Sequence, residues 1–319
     1  MSALIEARNL KKYFETKSGT LHAVDDVSFD IERGETLGVV GESGCGKSTL
    51  GRVLVHLHES TGGSFYYEGE DITKVDRRKL SELRRKMQII FQDPFSSLNP
   101  RKSVYSTLAE AVKAGTGLRE GTELRDSVFE LMDLVGIARR YVDTYPHELD
   151  GGRRQRIIIA RALAMNPEFV VCDEPVSALD VSIQAQVLNL LLDLQESRKL
   201  TYMFVTHDLS VVKYISNNIM VMYLGKLFEK SETKELFRNP YHPYTKALLS
   251  AVPDPNPHNK ARRIELTGEL SSPINPKPGC RFAARCPYAK EACYSQEPVL
   301  EEVLPNHFVA CHFVREING

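Results

Sequence analysis

A glycine-rich segment, GESGCGKS at residues 41–48, constrains the fold more than any other part of the sequence. It fits the pattern G-x-x-x-x-G-K-[ST], follows the apolar run TLGVV and precedes a helical run. In this pattern, glycines let successive backbone N–H groups surround phosphate oxygens, and the helix N-terminus adds its positive dipole end. A chance glycine-rich turn rarely stands between a strand and a helix, so we predict a phosphate-binding loop.

Two side chains at the end of this loop have predicted roles. Lys47 is expected to neutralise the β- and γ-phosphates of a nucleotide, and the Ser48 hydroxyl to ligate Mg²⁺. The predicted nucleotide-binding residues of the loop are Gly41, Glu42, Ser43, Gly44, Cys45, Gly46, Lys47, Ser48 and Thr49.

Two adjacent acidic residues follow a second apolar run, FVVC at 169–172. Two acids at the end of a buried strand are costly unless cations lie beside them. We therefore predict that Asp173 holds Mg²⁺ through water and that Glu174 polarises the attacking water as a general base. A strand that runs into a helix cap would explain one acid but not both.

The order of apolar runs predicts the fold class. Short apolar runs that alternate with helical segments stand at 36–40, 87–91, 169–172, 202–206 and 219–223. This alternation favours an α/β fold with a mainly parallel sheet core. An antiparallel β subdomain is expected over residues 1–35 and in a hairpin over 63–72, and a helical subdomain over 95–165.

The texture of the chain changes after about residue 238, where prolines become dense. We therefore predict two parts: residues 1–237 as the main domain, and 238–319 as a small, loop-rich C-terminal extension.

Charge and hydropathy restrict the partners. The formal net charge is −1, so no nucleic acid partner is expected. No apolar run reaches the roughly 18–20 residues that span a bilayer, and the first residues, MSALIEARNL, lack an apolar signal core. We expect a cytoplasmic protein that other chains would hold at a membrane if it works there.

A third segment, LDGGRRQR at 149–156, opens a helical run. Two glycines ahead of a helix can form another anion site, although Asp-Gly-Gly is also a common turn. With the phosphate loop and the acidic pair, it makes the sequence resemble the nucleotide-binding subunits of ATP-binding-cassette transporters. The motifs that carry this resemblance are GESGCGKST at 41–49, FQDP at 91–94, LDGGRRQR at 149–156, VCDEP at 171–175, SALD at 177–180 and TH at 206–207.

The resemblance implies a P-loop ATPase cassette. Two such subunits pack head to tail, with ATP between the phosphate loop of one and the glycine signature of the other. It implies that Gln92 senses the γ-phosphate and Mg²⁺ and connects to the membrane partner, and that His207 contacts the γ-phosphate. Asp180 would lie at the dimer seam. An aromatic residue stacks on adenine in this family, and Phe14 is in the matching place, with Tyr13 as the alternative.

The signature departs from the family pattern Leu-Ser-Gly-Gly-Gln. Its residues are Leu149, Asp150, Gly151, Gly152 and Arg153. The carboxylate of Asp150 replaces a serine that donates to the γ-phosphate, and it would repel phosphate unless Arg153 or Arg154 neutralises it. We therefore predict an asymmetric heterodimer, in which this chain's phosphate loop and Glu174 form the hydrolytic site with a second ATPase subunit.

Two proline-rich segments, NPYHPYTKALLSAVP at 239–253 and GCRFAARCPYAKEAC further on, resemble the C-terminal extension of oligopeptide and dipeptide importer ATPases. This implies peptide import, with ATP and Mg²⁺ as cofactors. The implied partners are a second ATPase subunit, two transmembrane permease subunits and, indirectly, an extracellular peptide-binding protein, with this chain at the cytoplasmic face of the cell membrane. Importers of nickel and some other solutes share the extension and remain the alternative.

Four of the six cysteines crowd this extension: Cys280, Cys286, Cys293 and Cys311. In a cytosolic protein such a group is more often a metal site than a set of disulfides. The gaps of five, six and seventeen residues are wider than in the usual zinc pairs. Some peptide-importer ATPases carry a [4Fe–4S] cluster here. The resemblance therefore ranks an iron–sulfur cluster with a structural role first, zinc second and unligated thiols third, with His312 as a spare ligand.

Two other functional classes also use cassettes or phosphate loops. Soluble cassette ATPases of DNA repair or translation typically hold two cassettes in one chain or a long coiled-coil insertion, and this sequence has neither. A small-molecule kinase would not need LDGG, SALD and TH in this order. The sequence therefore favours an ATPase of a membrane transporter.

Overall fold

A computed structural model describes residues 3–93, 97–252, 264–268 and 271–319 of the chain. The chain forms two compact units, one made of residues 1–74 and 204–319 and the other of residues 75–203. Pro94 of the FQDP motif and Pro253 at the end of the first proline-rich segment lie outside the described residues.

The regular elements have the following bounds. The strands are β1 (Ala3–Thr16), β2 (Gly19–Glu32), β3 (Thr36–Val40), β4 (Gly62–Tyr67), β5 (Glu70–Asp71), β6 (Met87–Ile90), β7 (Phe169–Asp173), β8 (Thr201–Val205), β9 (Asn218–Tyr223), β10 (Lys226–Glu232), β11 (Glu301–Leu304) and β12 (His307–Val309). The α-helices are α1 (Lys47–Leu54), α2 (Arg77–Lys86), α3 (Val104–Thr116), α4 (Thr122–Leu134), α5 (Gly151–Leu163), α6 (Val181–Arg198), α7 (Leu209–Ile215), α8 (Thr233–Arg238), α9 (Pro243–Ser250), α10 (Glu291–Ser295) and α11 (Val314–Asn318). Short 3₁₀ turns lie at Arg139–Tyr141, Pro146–Glu148 and Ala283–Arg285.

An antiparallel sheet opens the first unit, with its strands in the order β2-β1-β4-β5. Most apolar residues of β2 are buried, namely Ala23, Val24, Val27, Phe29 and Ile31, while Leu21 is half-buried. Strands β4 and β5 pair in antiparallel fashion, which confirms the hairpin predicted over 63–72. Buried and more exposed side chains alternate from Val27 to Ile31, whereas Val24 and Asp25 are buried side by side.

A second group of strands in the same unit carries the phosphate loop, in the order β11-β12-β10-β9-β3. Strand β3 is buried over its whole length, as predicted, and pairs in parallel with β9. The pairs β9–β10, β10–β12 and β11–β12 are antiparallel. The hairpin of β11 and β12, which belongs to the proline-rich part of the chain, therefore joins the strands that carry the phosphate loop through β10.

The second unit contains a parallel pair of strands, β6 and β7, with Ile89 opposite Val171. Helix α4 buries Leu124, Val128, Leu131 and Met132, whose spacing of i, i+4, i+7 and i+8 places them on one face of the helix. The strand predicted over 87–91 ends at Ile90, and its two middle residues are only half-buried.

Helix α2 has the highly charged sequence RRKLSELRRK, and Leu83 is its one buried residue. Its start depends on a local cap: Asp76 accepts a hydrogen bond from the backbone N–H of Lys79 at 2.7 Å. Among all helices in the described ranges, none is both long and apolar enough to cross a membrane.

Candidate functional site

The phosphate loop connects the buried strand β3 to helix α1, which begins at Lys47. The loop is wedged against neighbouring backbone. A Cβ atom on Gly46 would lie 1.9 Å from the carbonyl oxygen of Ala23, and Gly46 has a φ of +102°. A Cβ on Gly41 would lie 2.1 Å from the carbonyl oxygen of Met222. Both positions therefore require glycine, as the motif predicts.

The ammonium group of Lys47 is held inside this loop, and the residue is only 4% exposed. Lys47 Nζ donates to the carbonyl oxygens of Gly41 at 2.7 Å and Glu42 at 3.0 Å. It also lies 3.6 Å from the sulfur of Cys45, whose thiol pKa is raised by burial. Backbone carbonyls are neutral partners, so the lysine keeps a positive charge that a phosphate can neutralise. Ser43 and Gly44, at the tip, are exposed.

His207 belongs to the same unit and follows strand β8. The backbone N–H of Thr206 donates to the carbonyl of Val39 at 3.2 Å, so this segment lies beside the end of β3 where the phosphate loop begins. The side chain of His207 is exposed. This arrangement leaves His207 accessible at the edge of the sheet that carries the loop.

In the second unit, Gln92 and Glu174 come together. They follow the parallel neighbours β6 and β7, and Gln92 Nε2 donates to Glu174 Oε2 at 3.0 Å. Asp173, the last residue of β7, is 2% exposed. Glu174 has a φ of +48°, a left-handed conformation that non-glycine residues rarely adopt and that often occurs at functional sites.

The signature segment contains its own counter-ion. Asp150 caps helix α5 by accepting the backbone N–H of Arg153 at 2.7 Å. The guanidinium of Arg153 pairs with the other carboxylate oxygen at 2.5 Å. Of the two arginines expected to neutralise Asp150, Arg153 does so, while Arg154 donates to the carbonyl of Pro146.

Close packing accounts for the leucine and the second glycine of the signature segment. Leu149 is buried, and a Cβ on Gly152 would lie 2.6 Å from a methyl carbon of Ile183. Gly151 is the first residue of helix α5, and Asp180 is an exposed residue just ahead of α6. The pattern of small residues therefore serves close helix packing as well as the predicted anion site.

The two candidate aromatic residues differ in their contacts. The ring of Tyr13 stacks on His22, with centroids 4.0 Å apart, and its hydroxyl donates to Asp25 at 2.5 Å. The ring of Phe14 has the ammonium of Lys12 at 4.7 Å and an edge contact with His58. Because Tyr13 is engaged on one face and at its hydroxyl, Phe14 is the better candidate for stacking on a base.

The four clustered cysteines border one small cavity of about 20 Å³, which His312 also lines. All four are free thiols, and burial raises the pKa of Cys280 to about 12. No three His, Cys, Asp or Glu side chains within the described ranges are arranged to hold a metal ion. The predicted iron–sulfur or zinc site is therefore not supported by the positions of these donors.

Sequence analysis missed two contacts to the loop. Arg285 pairs with the carboxylate of Glu42, and the hydroxyl of Tyr244 accepts the backbone N–H of Glu42. It also missed a polar cluster centred on Asp25, whose partners are Tyr13, His22, Lys226 and Arg281. Nothing in the spacing of these residues marks them, because the pairs are far apart in the chain.

Two protein families match segments of this chain. A family described as "ABC transporter" matches residues 24–177, and one described as "Oligopeptide/dipeptide transporter, C-terminal region" matches residues 228–293. The chain is 50% identical over 317 residues to "Dipeptide transport ATP-binding protein DppF" of Haemophilus influenzae, covering 98% of this chain and 97% of that protein. It is also 50% identical over 319 residues to "Oligopeptide transport ATP-binding protein AppF" of Bacillus subtilis, covering 97% of each.

Solved structures agree at the level of the fold. The dimeric ATP-binding cassette MJ0796, in a post-hydrolysis state with ADP and Pi, matches with a TM-score of 0.66 and 28% identity, over 72% of this chain and 98% of that chain. The protein cbiO1 of Clostridium perfringens, part of the transporter complex cbiONQ, matches with the same TM-score and identity over 75% of this chain and 92% of that chain.

Proposed function

The chain belongs to the ABC transporter family and carries the oligopeptide/dipeptide transporter C-terminal region, and we propose that it is the ATP-hydrolysing subunit that powers import of di- or oligopeptides through a membrane transporter. The assignment of peptides as the transported cargo rests on one observation. Half of the residues are identical, over nearly the full chain, to ATP-binding proteins named for dipeptide and for oligopeptide transport. The reaction is the hydrolysis of ATP to ADP and phosphate.

The phosphate loop binds the nucleotide phosphates, and the acidic pair supplies a Mg²⁺ ligand and the general base. Lys47 neutralises the β- and γ-phosphates, while Ser48 and Asp173 hold Mg²⁺, the latter through water. Glu174 accepts a proton from the water that attacks the γ-phosphorus, and the bond to the leaving ADP oxygen breaks. The hydrogen bond from Gln92 to Glu174 supports this assignment because it orients the carboxylate.

Three further residues complete the ATP site in this proposal. Gln92 also binds Mg²⁺ and connects the site to the membrane partner. His207 contacts the γ-phosphate, which its exposed position at the sheet edge supports. Phe14 stacks on adenine, and the engagement of Tyr13 with His22 and Asp25 supports this choice.

The working assembly is an asymmetric heterodimer with a second ATPase subunit. The pairing of Asp150 with Arg153 supports an unequal partner, because the signature of this chain offers an ion pair instead of a serine hydroxyl. Asp180 lies at the seam of the two subunits. Two transmembrane permease subunits hold the pair at the cytoplasmic face of the membrane, and an extracellular peptide-binding protein delivers cargo.

The chain is divided at residue 238 in this proposal, with the cassette before it, including a helical subdomain over 95–165, and the extension after it. Cys280, Cys286, Cys293 and Cys311 bind a [4Fe–4S] cluster, with zinc as the second choice. The border that all four thiols share with one cavity supports this idea. The thiols would have to turn toward a common centre, since their present positions do not form a metal site.

The transport function is tested in vesicles that hold the complete complex. ATP hydrolysis should rise when a binding protein loaded with dipeptide is added, and labelled dipeptide should accumulate inside. Stimulation by nickel or another solute instead of peptides would refute the cargo assignment and leave the ATPase intact.

The catalytic assignment is tested in the same complex. Glu174→Gln should lower turnover about a hundredfold or more, because the general base is lost. The matched control is Glu168→Gln, since Glu168 lies just ahead of β7 and its carboxylate pairs with Lys86 at 3.6 Å. Near-normal turnover in Glu174→Gln would contradict the assignment of the hydrolytic site to this chain. Analysis of iron, sulfide and zinc in anaerobically purified protein tests the cluster separately.

A further inference from the structure

Two side chains of the C-terminal region hold the phosphate loop from outside its own motif. Arg285 donates from Nη1 to both carboxylate oxygens of Glu42, at 3.0 and 2.8 Å. The backbone N–H of Glu42 donates to the hydroxyl of Tyr244 at 2.9 Å. Because the carbonyl of Glu42 also accepts a bond from Lys47, the placement of Glu42 bears directly on the lysine of the loop.

Both side chains, those of Tyr244 and Arg285, contact a buried aromatic cluster. Tyr244 and Tyr223 are at most 1% exposed, and their ring centroids lie 4.7 Å apart. Arg285 also donates to the hydroxyl of Tyr223 at 3.3 Å. Phe282, three residues before Arg285, packs into the same cluster. Close packing limits the motion of these side chains, so Arg285 and Tyr244 provide fixed anchors for the loop.

Glu42 brings a negative charge into a loop that is built to receive phosphate. Its side chain is 29% exposed, whereas that of Arg285 is 12% exposed. The hydrogen bond to Glu42 raises the pKa of Arg285 above its usual value, so the guanidinium stays charged. A carboxylate without this partner would repel the anionic phosphates of a nucleotide, and the ion pair removes that repulsion.

We propose that Arg285 and Tyr244 are positioning residues for ATP. They orient and neutralise Glu42 so that the phosphate loop accepts the triphosphate, which makes the C-terminal region a working part of the nucleotide site. Neither residue belongs to the phosphate loop, the acidic pair or the signature. The inference requires only that the loop binds ATP, and it stands whether the cargo is a peptide or another solute.

The first test measures ATP affinity of the full chain by titration with a fluorescent ATP analogue in the presence of Mg²⁺. Arg285→Ala should weaken binding roughly tenfold, because a charge-assisted hydrogen bond is lost and Glu42 is left unpaired. Arg285→Lys keeps the charge and should restore most of the affinity. The matched control is Arg315→Ala, since Arg315 is an exposed residue of the same region in α11, and it should bind ATP like the wild type.

The second test separates positioning from a purely structural role. In a Glu42→Gln background, adding Arg285→Ala should weaken ATP binding by less than about twofold, because no carboxylate remains to neutralise. Tyr244→Phe removes only the hydroxyl and should weaken binding about threefold, since the bond from the loop N–H is lost.

Three results would overturn the proposal. The first is wild-type ATP affinity in Arg285→Ala, and the second is an equal loss in the presence and absence of the Glu42 carboxylate. If Arg285→Ala does not fold, as judged by its melting temperature, Tyr244→Phe tests the proposal instead. The third result, wild-type ATP affinity in Tyr244→Phe, then refutes it.

Discussion

Asp25 is the centre of a buried polar cluster, and replacing it by asparagine should destabilise the protein measurably. The residue is 8% exposed. Burial opposes its ionisation, but hydrogen bonds and cations outweigh that effect and lower the pKa of Asp25 to about 2, from 3.8. The groups responsible are the Tyr13 hydroxyl, the His22 ring, and the charges of Lys226 and Arg281.

The magnitude follows from this pKa and from the unpaired cations. A depression of nearly two pKa units corresponds to about 2 kcal/mol of stability at pH 7. Leaving one member of a buried ion pair alone costs about 3–5 kcal/mol, and Arg281 directly contacts Asp25. With an unfolding entropy of about 2.1 cal/mol/K per residue over 319 residues, Asp25→Asn should lower the melting temperature by about 3–7 °C.

The assay is thermal unfolding followed by circular dichroism, with Asp26→Asn as the matched control. Asp26 is a neighbouring residue whose pairing with Lys11 is exposed, at 3.9 Å, so its replacement should shift the melting temperature by less than about 1 °C. The carboxylate of Asp25 stabilises the fold above pH 3.8, and this contribution is lost as the pH falls through about 2. The difference between the wild type and Asp25→Asn should therefore narrow at pH 3.

A shift below 1 °C for Asp25→Asn at pH 7 would refute this reasoning. It would mean that the cations of the cluster relax into solvent when the carboxylate is removed, so that the observed geometry adds little to stability.

Glu229, His242 and Gly46 of the first unit each offer a further test. Glu229 is fully buried and accepts hydrogen bonds from two backbone N–H groups and from His307. Glu229→Gln should therefore lower the free energy of unfolding by about 3 kcal/mol, measured as a lower melting temperature. An unchanged melting temperature would contradict this prediction. Burial lowers the pKa of His242 to about 4; because the unfolded chain takes up this proton near pH 6.5, stability should fall by about 2 kcal/mol from pH 7 to 5. His242→Asn, which keeps an acceptor for the helix cap, should show a smaller fall, and an equal fall would exclude His242 as the cause. Gly46→Ala should abolish ATP binding because its Cβ would lie 1.9 Å from a carbonyl oxygen, and retained binding in a titration would show that the loop can move aside.

Several features could be predicted because their causes are local. Glycines at fixed spacing between a strand and a helix predict the phosphate loop, since only glycine fits the close approach of Ala23 and Met222. The alternation of apolar and polar residues from Val27 to Ile31 in β2 predicts which of those side chains are buried. Even the neutralisation of Asp150 could be narrowed to two arginines, because its partner is three residues away.

Other features depend on residues that the sequence does not connect. The partners of Glu42, namely Tyr244 and Arg285, are 202 and 243 residues away, and Arg281 is 256 residues from Asp25. The contacts of Tyr13 with His22 and Asp25, which favour Phe14 as the aromatic residue for a base, also follow only from the folded structure. No local propensity encodes such pairs.

The sequence by itself determined that this chain has a phosphate loop, an acidic pair and a glycine signature, because each is a short segment whose backbone geometry demands particular residues. The tertiary structure alone decided that the proline-rich C-terminal region contributes strands to a sheet of the first unit and an arginine and a tyrosine to the loop. The physical reason is that burial and charge pairing act between surfaces that meet only after folding, when chain distance no longer matters.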